Sequence, residues 1–158
     1  MITFEALRSP PKFDSWDEVH ALLTLCFGPM EGRIDPPSSL NRMTAPSIAT
    51  QARQHDFVVV VSDGTVVGFG LGEPRGETLY VSKLAVHPDQ RGHGLARQII
   101  ELFKDVARQH DLSALSLQTR VELIENHLTF RALGFQKTGE TRHPGYDRVT
   151  SFTFTASL

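Results

Sequence analysis

The segment from Arg91 to Ala96 carries residue types at a spacing that could bind a phosphate group. It lies between a strand pattern, Leu79 to Val86, and an amphipathic helix pattern. A helix start leaves up to four backbone amides without partners and carries the positive end of the helix dipole, which favours an anion by roughly 0.3 to 1 kcal/mol. Gly92 and Gly94 would let a ligand approach that backbone closely, and Arg91 could fork onto phosphate oxygens. The segment is therefore typical of a pyrophosphate site, although a Gly-x-Gly turn that binds nothing has the same pattern.

Two other phosphate motifs do not fit these residues. A dinucleotide fingerprint needs Gly or Ala where Arg97 stands, and a P-loop needs a Gly-Lys-Ser/Thr that the segment lacks. The pattern Arg91-x-x-Gly94-x-Ala96, after a strand ending in Leu84-Ala85-Val86-His87-Pro88, instead resembles the acetyl-CoA motif of the GNAT superfamily of acyl-CoA-dependent N-acetyltransferases. A downstream segment from Glu125 to Phe135 is similar to that family's Asn-containing helix ending in Leu-Gly-Phe. The resemblance covers about residues 57 to 140.

The resemblance implies a fold and a cofactor. The expected fold is α/β (α+β): a GNAT-like mixed, mostly antiparallel sheet of six to seven strands, with about four helices on both faces, forming a single domain over residues 1–158. In this family two neighbouring parallel strands splay apart and accept the pantetheine arm of acetyl-CoA, the co-substrate. The residues that the resemblance places on acetyl-CoA are Leu84, Ala85, Val86, Arg91, Gly92, His93, Gly94, Leu95, Ala96, Asn126 and Phe130. A surface amide on a helix remains the alternative for Asn126.

Acyl transfer to an amine sets three chemical requirements: an unprotonated amine, a donor for the developing oxyanion and a proton for the leaving thiolate. A backbone N–H on the strand at Leu84 to Val86 could be the oxyanion donor. Phe130 stands where the family often has the tyrosine that protonates the thiolate. Three alternatives follow: proximity or water suffices; Tyr146, His143 or Tyr80 supplies the proton; or the chain binds acyl-CoA without turning it over.

The acceptor is expected to be a primary amine of a small molecule or peptide. The resemblance places Arg33, Ile34 and Asp35 near the substrate, since the segment between the first helices commonly forms part of the acceptor site. A solvated loop whose charges pair locally is the alternative. The carboxylates of Glu31, Asp35 and Asp147 could attract a cationic amine, or could simply be solvated.

Composition limits the remaining function classes. The 158 residues are 40% hydrophobic and 22% charged, with a formal net charge of -2, which argues against nucleic acid as the main partner. No apolar run has the length of a membrane span and no export signal is visible, so we expect no membrane partner and a cytoplasmic location. Cys26 lies on the apolar face of a helix pattern and is expected to be buried, and the seven histidines lack zinc spacing, so no metal site is predicted. A homodimer is compatible with this sequence.

The first half of the chain shows clear element boundaries. Ser15-Trp16-Asp17-Glu18 has the pattern of a capping box, and the helix that follows should stop at Gly28-Pro29. Ser38 and Thr44 predict the starts of two further helices. The predicted strands here are Ile2 to Leu7, Phe57 to Val61 and Thr65 to Leu71.

Gly68, Gly70 and Gly72 fall on one face of the Thr65 strand, which indicates that something packs very close there, a helix rather than a ligand. The Leu79 strand should complete an antiparallel meander. Ala114 to Gln118 is predicted to run parallel to it, and Thr119-Arg120-Val121-Glu122 has the pattern of a second capping box, opening a helix that ends at Gly134. The predicted final strands are Phe135 to Thr141 and Arg148 to Ala156.

Overall fold

A single mixed sheet organises the fold. The computed structural model describes residues 2–158, and its seven strands lie in the order β1-β2-β3-β4-β5-β7-β6. The strands are β1 Glu5–Arg8, β2 Asp56–Ser62, β3 Thr65–Arg75, β4 Thr78–Val86, β5 Ala114–Arg120, β6 Gln136–Thr141 and β7 Ser151–Ser157. The α-helices are α1 Trp16–Phe27, α2 Ala45–Gln54, α3 Leu95–Gln109 and α4 Ile124–Ala132.

The strand pairing confirms the predicted mixed, mostly antiparallel sheet. Strands β1 to β4 pair antiparallel with one another in chain order, and β2 and β3 are joined by the expected turn at Asp63-Gly64. Strands β4 and β5 form the one parallel pair in the described chain, and β7 lies between β5 and β6. The last three strands therefore extend the sheet beyond its parallel junction.

The glycines of β3 lie beneath helix α3, as their spacing predicts. A Cβ built at Gly72 would stand 2.8 Å from a ring carbon of Phe103, and one at Gly70 would stand 2.9 Å from the same ring. A Cβ at Gly68 would meet Val60 at 3.0 Å and Ile99 at 3.4 Å. Because real Cβ atoms do not approach so closely, only glycine lets this helix pack at this depth.

The opposite face of the sheet is covered by α1 and α2. Trp16 packs edge-on against Phe69, and its ring centroid lies 5.1 Å from that of Phe57. The predicted apolar face of α1 is buried at Val19, Leu22 and Leu23, whereas Cys26 near its end is only half-buried. The Cys26 thiol donates to the Val86 carbonyl oxygen at 3.3 Å, so the end of α1 contacts the end of β4.

Both capping boxes predicted from sequence are wrong. The Ser15 side chain makes no capping hydrogen bond, although α1 begins beside it. Thr119 and Arg120 are the last residues of β5, and α4 begins only at Ile124. Thr119 is 7% exposed and pairs with Phe152 of β7, so sheet pairing and burial outweigh the local helix signal.

A capping box does form at the start of α2. The Thr44 side chain accepts from the Ser47 amide at 3.2 Å, and the Ser47 hydroxyl oxygen accepts from the Thr44 amide at 2.9 Å. Ser38 caps the short 3-10 turn Ser39–Arg42 by accepting from the Leu40 amide. These two starts confirm the helices predicted at Ser38 and Thr44.

Candidate active site

A gap in the sheet opens between β4 and β5. The two strands pair over only three residue pairs, which end at Tyr80 and Ser116, although β4 continues to Val86 and β5 to Arg120. From Val81 onward, the edge of β4 that faces β5 therefore has no strand partner. Backbone groups left unpaired at such an edge can bind an extended ligand.

A groove of about 770 Å³ runs from this gap to the start of α3. It is lined by residues of β4, of the loop before α3 and of α4. The family resemblance assigns most of them to acetyl-CoA. The predicted residues that line it are Leu84, Ala85, Val86, Arg91, Gly92, Gly94, Leu95, Ala96, Asn126 and Phe130. His93 is the exception: its ring packs against Phe4 at a centroid distance of 5.1 Å and does not line the groove.

The start of α3 presents free amides to this groove. Among the described residues, the amides from Gly92 to Arg97 donate no hydrogen bond to the protein, and the first helical bond runs from the Gln98 amide to the Gly94 carbonyl oxygen at 3.1 Å. Gly94 caps the helix with φ +75°, and Gly92 has φ +88°. A Cβ at either glycine would meet nothing within 4 Å. These glycines therefore border open space, and the N–H groups beside them can donate hydrogen bonds to a bound anion.

A β-bulge interrupts β4 beside the gap. Leu71 pairs with Ser82 and Phe69 pairs with Ala85, so that Lys83 and Leu84 together lie opposite Gly70. Lys83 takes a left-handed backbone with φ +53°, which is uncommon for a residue with a side chain. Bulges often redirect a side chain next to a functional site, and here the bulged residues Lys83 and Leu84 both line a second cavity.

The second cavity has a volume of about 270 Å³ and lies against the bulged part of β4 and the end of β5. Five residues line both cavities: Phe27, Met30, Leu84, Asn126 and Phe130. Because these shared residues mark a common boundary, a group at the end of the groove would meet a molecule in the second cavity there.

The three predicted proton carriers lie in different surroundings. Tyr80 and His143 line the second cavity, whereas Tyr146 lines neither cavity. Burial raises the pKa of the Tyr80 hydroxyl, and the Arg75 guanidinium stacks 3.8 Å from its ring centroid. Burial, followed by the Arg120 charge, lowers the pKa of His143, which favours the neutral imidazole. Near neutral pH the Tyr80 hydroxyl therefore keeps its proton, and the His143 imidazole is neutral.

Tyr146 is engaged elsewhere. Its hydroxyl donates to the Asp35 carboxylate at 2.8 Å, and that bond to Asp35 raises the Tyr146 pKa. Arg148 donates to the backbone oxygen of Asp35 at 3.0 Å and to its carboxylate at 3.3 Å. These bonds attach the loop after α1 to the segment before β7.

The three residues predicted to lie near the acceptor, Arg33, Ile34 and Asp35, make different contacts. Arg33 lines the larger groove and pairs with Glu125 at 2.6 Å, a bond that raises the pKa of the Arg33 guanidinium and lowers that of the carboxyl. Ile34 is 8% exposed and Asp35 is occupied as described. None of these three residues lines the second cavity.

Comparison with known proteins identifies the family of this chain. A sequence model of the acetyltransferase (GNAT) family matches residues 16–135, well over half of the 158 residues. The chain belongs to the acetyltransferase (GNAT) family. The resemblance of the Arg91–Ala96 segment and the Asn126 helix is thereby confirmed at the level of the family.

Two curated relatives share part of the sequence. IAA acetyltransferase from Azospirillum brasilense is 35% identical over 98 residues, which are 61% of this chain and 64% of that protein. N-acetylaspartate synthetase from Rattus norvegicus is 30% identical over 89 residues, 55% of this chain and 30% of that protein. This chain thus spans less than two thirds of the length of either relative.

A solved structure shares the GNAT fold. A candidate streptothricin acetyltransferase from Bacillus anthracis, crystallised in complex with acetyl coenzyme A, matches with a TM-score of 0.61 at 14% identity. The match covers 66% of this chain and 62% of that one. At this identity the likeness establishes the fold alone.

Several residues of the second cavity in this GNAT chain were missed from the sequence. Lys83, Ser38, Thr119 and Arg120 line it and come from three different places along the chain. The sequence marks Ser38 only as a helix cap and gives Thr119 and Arg120 the misleading pattern of a helix start, whereas Lys83 carries no local signal. The Arg120 guanidinium also donates to the Pro36 carbonyl oxygen at 2.6 Å, which fixes the loop above the cavity.

Neither a metal site nor a membrane span was found in the described chain. No three His, Cys, Asp or Glu residues between 2 and 158 are grouped so that they could hold a metal ion. No helix within the same range is both long and apolar enough to cross a bilayer.

Proposed function

We propose that this chain is an N-acetyltransferase that transfers the acetyl group of acetyl-CoA to a primary amine of a small molecule or peptide, by direct attack in a ternary complex. The observation that carries the proposal is the row of free amides from Gly92 to Arg97, which opens onto a groove along the unpaired edge of β4. Family membership and the acetyl coenzyme A complex of a structural neighbour support the same cofactor.

In this proposal the free amides and Arg91 bind the diphosphate of the cofactor. The edge of β4 from Val81 to Val86 binds the extended pantetheine arm, and Asn126 and Phe130 on α4 form the opposite wall. The thioester then lies at the boundary shared by the two cavities, where an amine in the second cavity can reach its carbonyl carbon. Holding both reactants in this register removes much of the entropic barrier.

Two side chains of the second cavity suit the proton transfers. His143, neutral near neutral pH, is placed to take a proton from the incoming ammonium group. The Tyr80 hydroxyl, whose pKa burial raises, can donate a proton to the leaving thiolate in place of the tyrosine that Phe130 replaces. Tyr146 is not assigned a proton-transfer role, because its hydroxyl is bound to Asp35.

Calorimetric titration with acetyl-CoA tests the cofactor, and thiol release with a panel of primary amines tests the transfer. We expect binding at micromolar concentrations and thiol release that depends on an amine. No binding at hundreds of micromolar acetyl-CoA would overturn the proposal.

The pH profile of kcat/KM tests the assignment of His143. Because the pKa of this imidazole is lowered, the activity should persist below pH 6.5, the ordinary value for histidine, and fall only as the ring gains a proton. His143→Gln should lose about a hundredfold in kcat/KM and remove that acidic limb. A variant that keeps the wild-type limb would exclude His143 as the base.

A non-catalytic acyl-CoA-binding module is the second candidate, favoured by Phe130. This side chain lines the boundary of the two cavities and cannot donate a proton. Acetyl-CoA binding without thiol release across the amine panel would support the module. Phe130→Tyr distinguishes the candidates further: a gain of turnover would show that only the proton donor is missing, whereas continued inactivity would favour a binding role.

A further inference from the structure

The second cavity has an unusual charge distribution for a site that takes an amine. Lys83, Arg120 and His143 line it, and no Asp or Glu of the described residues does. A site selective for a polycationic amine would need carboxylates facing it, since like charges repel across a small cavity. The lining therefore favours an acceptor that brings its own negative charge.

Lys83 is the lysine that lines this cavity, and its ammonium makes no ion pair in the described chain. Arg120 is used by the protein itself: it bonds the carbonyl oxygens of Pro36 and Pro37, and the neighbouring Glu122 charge acts on it. Lys83, by contrast, forms no ion pair within 4.0 Å among residues 2–158, although it is half-buried. A partly buried ammonium without a partner is costly, so an anion placed beside it would be bound favourably.

The carboxylates whose charges act on Lys83 and Arg120 are those of Glu73, Glu122 and Asp35, and each makes contacts elsewhere. Glu73 pairs with Arg75 and with His55, and Asp35 binds Tyr146 and Arg148. Glu122 accepts from the Asp35 amide at 3.2 Å through one oxygen, and its other oxygen is buried without a hydrogen-bond partner in the described chain. None of these side chains lines the cavity, and the Glu73 charge acts on Lys83 without forming an ion pair with it within 4.0 Å.

A buried hydroxyl supplies a second, independent sign of a polar ligand. Thr119 is 7% exposed, lines the cavity, and its Oγ1 has no hydrogen-bond partner in the described chain. Buried hydroxyls are normally satisfied, so this one is a polar group beside the cavity that the protein leaves without a partner. The volume of about 270 Å³ lies at the lower end for small-molecule sites, which suits a compact acceptor rather than a large one.

We propose that the acceptor is a small amino acid-like molecule, a primary amine that also carries a carboxylate, and that the Lys83 ammonium binds that carboxylate. This rests on the proposed acetyl transfer and names the substrate class of the same site. With the carboxylate on Lys83, at the bulge of β4, the amine is directed toward the boundary with the cofactor groove at Leu84. Lys83 is thus a specificity residue that selects acids over neutral and cationic amines.

Thiol release from acetyl-CoA tests this with matched pairs: each common amino acid against its own carboxamide, which keeps the amine and side chain and removes the charge. We expect kcat/KM for the preferred acid to exceed that for its amide by about tenfold or more. Lys83→Met should bring this ratio toward one, mainly through KM, and Lys83→Arg should keep most of it. Lys104→Met, which removes a comparably covered lysine of α3, should leave the ratio unchanged.

The outcomes separate this inference from the function beneath it. Acetyl-CoA binding with thiol release at equal rates for acids and amides would overturn the inference and leave the acetyltransferase standing. A clear acid preference that survives in Lys83→Met, with acetyl-CoA binding retained, would overturn the role of Lys83. No acetyl-CoA binding by the wild-type protein would overturn both.

Discussion

Two groups of glycines in this protein have opposite environments. Gly68, Gly70 and Gly72 lie under helix α3, where an added Cβ would collide with neighbouring side chains, at distances down to 2.8 Å. Gly92 and Gly94 lie at the start of the same helix, where an added Cβ would meet nothing within 4 Å. The first group makes room for the protein, and we propose that the second makes room for a ligand. Spacing alone does not distinguish them; the surroundings do.

The largest expected effect concerns the helix side chain that fills the first group. Phe103 is fully buried against Gly70 and Gly72, so Phe103→Ala should lower the free energy of unfolding by about 3–5 kcal/mol, measured by urea denaturation. Leu102→Ala on the same helix removes a side chain that is only partly buried and should cost clearly less. Equal losses would show that the glycine face is not the main contact of α3.

A methyl group added beneath the helix should also destabilise the fold. Gly72→Ala places a Cβ 2.8 Å from the Phe103 ring and should cost about 1–3 kcal/mol in the free energy of unfolding. Gly139→Ala is the matched control, because its Cβ would lie 3.6 Å from Thr153, an ordinary contact. If both variants unfold at the same urea concentration, the close packing argued for Gly72 is wrong.

At the open glycines the expected loss is in binding. Gly94→Asp and Gly94→Asn both tolerate a left-handed backbone, but only Asp adds a negative charge beside the free amides. The Asp variant should bind acetyl-CoA about tenfold more weakly than the Asn variant, measured by calorimetry. Gly76→Asp, at φ +58° in the turn before β4, should bind like wild type. Equal affinities of the two Gly94 variants would place the diphosphate elsewhere.

The smallest expected effect is a salt dependence of acetyl-CoA affinity, which the stability loss at the close-packed glycines should not share. Raising sodium chloride from about 0.1 M to about 1 M shortens the screening length from roughly 10 Å to roughly 3 Å, so acetyl-CoA affinity should fall by roughly threefold. The unfolding loss caused by Gly72→Ala should stay the same, because it arises from steric contact. An affinity that is indifferent to salt would contradict an electrostatic role for the α3 start.

The sequence was most informative where one segment carries the whole signal. The β4 strand, the Arg91–Ala96 loop and helix α3 follow each other directly, and the period-two glycines of β3 predicted a close helix. The cofactor groove could therefore be proposed from local patterns. Ten of the eleven residues assigned to acetyl-CoA line one groove, while His93 packs on Phe4.

The acceptor side could not be found in the same way. Lys83 lines the second cavity at a bulge where its backbone is left-handed, and nothing in the neighbouring sequence marks that bulge. The four-residue pattern at Thr119 predicts a helix start, but pairing with β7 keeps this residue in β5, and that partner strand is distant in the sequence. The cavity is assembled from distant segments, so its charge is visible only in the folded chain. The cytoplasmic location, the homodimer and the single-domain extent stay predictions.

The short pairing of β4 with β5 has a consequence for how the protein responds to a ligand. Three residue pairs are all that join the sheet's first four strands to its last three by backbone ladder. A molecule bound in the gap between β4 and β5 would contact both strands at once. Backbone amides of β3 and β7 should therefore also exchange hydrogen more slowly, not only those beside the ligand. A bound ligand would then connect the two halves of the sheet, β1 to β4 and β5 to β7, along the part of the gap where β4 and β5 do not pair.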